Sequence, residues 1–74
     1  MFVSQPEDFA KMESILASKF GTTVAKQAVA YGRTKTNEDY YLEGKEFKTN
    51  TKYVIYVQST DGNWKIGFSV SAKD

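Results

Sequence analysis

Four carboxylates, Glu38, Asp39, Glu43 and Glu46, lie close together near the middle of the chain. Paired carboxylates are the side chains here that could move a proton or hold a hard cation. Either task needs several oxygens converged on one point, and the residues around these four do not have the spacing of a metal-binding loop. A chain of 74 residues also has little room for the roughly 300–1,000 Å³ pocket that shields a small substrate from water. Histidine and cysteine are both absent. Their absence removes the ligands of structural zinc, the Ser-His-Asp and Cys-His triads, and the one side chain that ordinarily titrates near neutrality. No catalytic, cofactor-binding or metal-binding residue is assigned, and a non-enzymatic protein is expected.

A second constellation is basic and aromatic. Arg33, Lys35, Lys45, Lys48, Lys52 and Lys65 are interleaved with Tyr40, Tyr41, Phe47 and Tyr53. Single-strand nucleic-acid binders use such a mixture to follow phosphates and stack bases. The four carboxylates occupy the same region and nearly cancel the lysines. Over the whole chain 10 Lys and Arg face 9 Asp and Glu, a net charge of +1, which exerts little long-range pull on a polyanion. Solvated strand edges with cross-strand ion pairs are therefore the simpler reading. A nucleic-acid-binding module using a basic and aromatic sheet face is kept as the alternative.

The elements that must position these groups are led by a hairpin. From Lys52 to Ser71, two runs of alternating apolar residues flank Asp61-Gly62, a pair suited to the φ > 0 positions of a two-residue turn. Counting outward places Ser59 opposite Trp64, Val57 opposite Ile66, Ile55 opposite Phe68 and Tyr53 opposite Val70. These pairs share a core face, while Val54, Tyr56, Gln58, Lys65, Gly67, Ser69 and Ser71 take the other. In that register Tyr56 lies over Gly67, a ring covering a residue with no side chain, and it is equally placed to meet a partner. Trp64 at the hairpin tip is either a lid on the core or an anchor for a partner.

Upstream, Ser4-Gln5-Pro6-Glu7 has the form of a capping box, and Phe9, Met12, Leu16 and Phe20 recur at helical spacing. A helix is expected there, ending in a left-handed cap at Gly21. Residues 22–35 fit two periods. Val24, Ala25, Ala28 and Val29 suit a second helix, but Gln27, Val29, Tyr31 and Arg33 alternate as a strand would, and a strand from about Lys26 to Lys35 is favoured. The helical option would make a helix-turn-helix around Gly21, with Gln27 standing where that DNA-binding motif carries an apolar residue. Thr36-Asn37-Glu38-Asp39 is a polar turn, and Tyr40 to Lys48 reads as a strand with a bulge near Gly44 that restores the parity of Phe47. The expectation is one α+β domain over residues 1–74: an N-terminal helix packed on a three- to four-stranded antiparallel meander.

A capped helix followed by an antiparallel meander resembles the cystatin roll. Gln27-Ala28-Val29-Ala30-Tyr31-Gly32 is similar to that family's Gln-x-Val-x-Gly loop with one residue more, and Asn63-Trp64 stands where the family often carries Pro-Trp at a later hairpin tip. The resemblance implies contact with a protein partner through loop tips.

The N-terminal Met1-Phe2-Val3-Ser4-Gln5-Pro6 has neither a basic leader nor a long apolar run, so no membrane association and a cytoplasmic location are expected. The functional expectation is a small protein that binds another protein, as an inhibitor or accessory factor of the kind that phages and mobile elements encode to block a host enzyme. The expected contact residues are Trp64, Tyr56, Lys65, Arg33, Lys35, Asn37, Asp61 and Asn63. A third possibility is a homodimer through the last strand, whose one charge, Lys65, gives its edge little protection.

Overall fold

Phe9, Met12 and Leu16, three and four residues apart, form the buried face of helix α1 (Asp8–Phe20). The structure is a computed structural model, and it describes residues 2–36, 42–60 and 65–72. The capping box does not form. Glu7 already has helical dihedral angles of φ −66° and ψ −20° with no side-chain cap, and the chain enters the helix through a turn in which Asp8 N–H donates to the Gln5 carbonyl at 3.0 Å and Phe9 N–H to the Pro6 carbonyl at 3.3 Å. Gly21 ends the helix with φ 99° and ψ 153°, a region essentially closed to residues with a Cβ but not the left-handed cap expected. It is the single residue between α1 and helix α2 (Thr22–Arg33).

Helix α2 corrects the expectation of a strand over residues 26–35. Val24, Ala25, Ala28, Val29 and Gly32 are its buried residues, one stripe of a 3.6-residue period. The strand alternative would have placed Ala28 and Val29 on opposite faces, whereas both are wholly inaccessible. The glycine helps: Gly32 lets α2 approach until a Cβ there would stand 3.2 Å from Phe68 Cζ, 3.2 Å from Phe9 Cε1 and 3.3 Å from Ile66 Cγ2. The cystatin-like segment 27–32 is thus inside a helix and not a loop, so the likeness to a cystatin roll extends no further than an α+β layer arrangement.

Among the described residues the sheet has four antiparallel strands in the order β1-β4-β3-β2: β1 (Phe2–Val3), β2 (Gly44–Lys48), β3 (Tyr53–Ser59) and β4 (Ile66–Ala72). The meander is β2-β3-β4, as the alternation indicated. Its fourth member is the two-residue β1 on the β4 edge, too short to show a period. The hairpin register differs by two residues from the one counted around Asp61-Gly62: Ser59 pairs with Ile66, Val57 with Phe68, Ile55 with Val70 and Tyr53 with Ala72. Thr60 N–H donates to the Lys65 carbonyl at 3.3 Å, so the connection between them has four residues and not two. A slip of two keeps every side chain on its face, which is why the core assignment survives. No bulge interrupts β2, whose ladder with β3 is continuous from Gly44 opposite Gln58 to Lys48 opposite Val54. The parity break arises because the strand starts only at Gly44, after Leu42 at φ 53°.

Helix α2 lies on β3 and β2, and α1 packs on α2 and reaches β1. The core combines Phe9, Leu16, Val24, Ala28 and Val29 with Val3, Ile55, Val57, Ile66 and Phe68. At the end where β2 meets β3, the buried Thr49 hydroxyl donates to the Tyr53 carbonyl at 2.5 Å and accepts from Thr51 N–H at 3.1 Å, closing the turn. No helix among the described residues is long and apolar enough to cross a membrane.

Candidate functional site

One face of the sheet is filled by the helices; the other is not. The registers align three rows across this outer face: Gly44, Gln58, Gly67 and Phe2; Glu46, Tyr56 and Ser69; Lys48, Val54 and Ser71. The first row is a floor with glycine on both sides of Gln58. A Cβ on Gly44 would collide with the Tyr56 hydroxyl and stand 2.6 Å from its Cζ, so the Tyr56 ring lies diagonally over Gly44. Phe2 lies over Gly67, its Cε1 3.3 Å from where a Cβ would be. The expected placement of Tyr56 over Gly67 is corrected: the register sets Tyr56 opposite Ser69, its ring lies over Gly44 on β2 instead, and Gly67 is covered by Phe2, a residue that sequence reasoning passed over. Aromatic cover, diagonal for Tyr56 over Gly44 and directly cross-strand for Phe2 over Gly67, is a known device for strand glycines.

Both rings remain accessible, Phe2 at 64% and Tyr56 at 36%. Between them runs a groove of about 190 Å³ floored by Gln58, Gly67 and Ser69. The Lys65 amine stands 5.7 Å from the centre of the Phe2 ring, within cation–π range. The outer face thus offers apolar rings, amide and hydroxyl groups, and charges of both signs at Lys48, Glu46 and Lys65.

Arg33 and Lys35 sit elsewhere, at the C-terminal end of α2, but a chain of contacts brings that end to the same edge of the floor. The Arg33 guanidinium lies 5.1 Å from the Phe9 ring centre. Lys35 pairs with Glu43 at 2.8 Å, Glu43 N–H donates to the Ser59 hydroxyl at 2.9 Å and Ser59 N–H to the Glu43 carbonyl at 2.8 Å. Gln58 Nε2 donates to the Leu42 carbonyl at 3.2 Å. Lys35, Lys65 and the glycine row are thereby gathered at one end of the molecule, beside Tyr56. Asn37, Asp61, Asn63 and Trp64 lie outside the described residues.

Part of the basic and aromatic constellation is engaged in contacts on the helix side of the sheet. Phe47 meets Tyr31 edge-on at 5.7 Å and Tyr53 meets Phe20 at 6.1 Å. The amines of Lys35, Lys45 and Lys52 stand over Tyr31, Phe47 and Tyr53 respectively, at 5.3 to 5.4 Å. Burial raises the Tyr31 hydroxyl above its ordinary pKa; the Lys35 charge opposes this, and Glu43 and Tyr56 add to it. These rings lie on the helix side of the sheet and present no stacking platform on the open face. Among the described residues no cluster of three acidic side chains could hold a metal ion; Glu43 is committed to Lys35, and Glu46 stands across from Tyr56. Tyr40, Tyr41, Glu38 and Asp39, also named in these constellations, lie outside the described residues.

Helix pairing does occur around Gly21, but α2 turns Val24, Ala25, Ala28, Val29 and Gly32 inward and is fastened across the sheet. The residues missed by sequence reasoning are Phe2 and Gly44, and a two-residue strand and a strand-initiating glycine leave no periodic signal to find them by. Comparison with protein-family models, with curated proteins and with solved structures returned no match.

Proposed function

We propose that this protein is a non-catalytic binding factor that docks on another protein through the open sheet face and the adjoining end of the molecule. The observation that carries the reading is the pair of accessible rings, Phe2 and Tyr56, held over Gly67 and Gly44 on either side of a shallow groove. Aromatic rings seated on a rigid sheet offer contact area at low entropic cost, and the mixed charges of Lys65, Lys48 and Glu46 around them suit a protein surface better than a polyanion. The contact set comprises Tyr56, Phe2 and Lys65, joined at the shared end by Arg33 and Lys35; Asn37, Asp61, Asn63 and Trp64 belong to it on the sequence alone. The role is that of an inhibitor or accessory factor, with a phage or mobile element as a fitting source and the cytoplasm as the fitting site of action.

The nucleic-acid alternative has weaker support, because Phe47, Tyr53 and three of the lysines that suggested it are occupied with one another and with the helices. The test is affinity capture from host lysate, with and without nuclease and at low and high salt, using the native chain and its Tyr56→Ala variant. One protein retained by the native chain under all conditions and lost by the variant supports the reading. Recovery of nucleic acid alone, with the steep salt dependence of phosphate contacts, overturns it.

A further inference from the structure

The two edges of the sheet are unlike. The β2 edge carries Lys45, Glu46 and Lys48, the kind of charge that discourages strand addition. Among the described residues β1 covers the β4 edge opposite Ile66 and Gly67, and the stretch from Ser69 to Ala72 has no charged residue. Ser59 and Glu43 exchange hydrogen bonds on one side of β3, and Thr60 bonds to Lys65 on the other. Antiparallel alternation then directs the backbone groups of residues 67, 69 and 71 toward β3 and those of Val70 to the open edge.

We propose that this edge joins two copies of the chain, β4 against β4, antiparallel about a two-fold axis at Val70. The strand itself favours a second copy as the occupant. Read in either direction from Val70, the neighbours are serine, so a two-fold axis there sets Ser69 opposite Ser71 of the second copy and brings no like charges together. A closed dimer demands such self-complementarity. Val70 is also the point where the helix layer stops covering β4: Ile66 and Phe68 on the same face are buried, while Val70 is 44% exposed. Pairing gives Val70 both of its missing partners, two N–H···O=C bonds from its counterpart and a valine side chain beside its own. An edge of four residues spans about 14 Å, well short of a standard dimer interface, so the association is weak and concentration-dependent.

Sedimentation equilibrium over a concentration series up to about 1 mM, the weak end of specific association, tests this on the native chain and on Val70→Lys and Val70→Pro, with circular dichroism confirming the fold. Val70→Lys sets two ammonium groups face to face; Val70→Pro removes only an N–H that β3 does not use. The native chain is expected to dimerise reversibly, and Val70→Lys to remain monomeric at concentrations at least about tenfold higher. Lys48→Ser on the opposite edge and Tyr56→Ala on the outer face should dimerise like the native chain, which separates this proposal from the protein-docking one. A native chain that stays monomeric throughout, or a dimer that survives folded Val70→Lys, overturns it, as does capture of a foreign strand at this edge by a chain that never self-associates.

Discussion

Aromatic rings press on glycine from both sides of the sheet, and the two sides use the contact differently. On the helix side, Gly32 is enclosed by Phe9, Phe68 and Ile66, all buried. On the open side, Gly44 and Gly67 lie beneath Tyr56 and Phe2, rings with one surface on the protein and the other in water. The first arrangement closes a core; the second leaves two accessible rings on the open face of the sheet. The same pairing of residue types is thus sealed into the core on one side and left accessible to solvent on the other.

Substitutions on the two sides should separate accordingly. The largest effect belongs to Ile55→Ala, which leaves a void beneath α2 and should lower unfolding free energy by about 2–5 kcal/mol in urea titration, enough to unfold much of a chain this small. Gly32→Val follows at about 1–3 kcal/mol, from overpacking against the buried Phe9 and Phe68 rings. Tyr56→Ala, across the sheet, should cost about 1 kcal/mol or less yet abolish partner capture; a variant equally impaired in stability and binding would erase the distinction between the faces. Tyr31 sets a pH limit on the helix side. Because burial raises its pKa above the ordinary 10.0, the folded state holds that proton more tightly than the unfolded state, so stability is unaffected below about pH 10 and falls as pH rises past it. Tyr31→Phe should flatten that alkaline limb in thermal melts. The smallest effect is expected from Lys35→Met, at most about 1 kcal/mol because its carboxylate partner is largely solvated, and reduced further by added salt.

Much of the fold was legible from the chain, for reasons that differ by element. The faces of β3 and β4 could be read because period-2 alternation is insensitive to a slip of two residues; the register could not, because Asp61-Gly62 satisfies a two-residue turn equally well whether or not the closing pair lies further out. Helix α1 was visible in Phe9, Met12 and Leu16. Helix α2 was obscured because its buried stripe is built from alanine, valine and glycine, small residues that also satisfy an alternating pattern, and only packing against Ile66 and Phe68 decides between the two. Of the candidate site, Tyr56 and Lys65 were legible from parity alone. The glycine under Tyr56 and the ring over Gly67 were not, since both depend on strand neighbours distant in sequence.

The joint at Gly21 has a consequence for how this chain can vary. With one residue between two helices there is no slack to absorb a change in length. One residue added or removed there would turn α2 by about 100° about its axis, swinging Val24, Ala25, Ala28 and Val29 away from β3 and presenting Lys26 or Gln27 to the core instead. Descendants of this sequence can drift at many exposed positions, but the distance between Leu16 and Val24 is a number they must inherit unchanged.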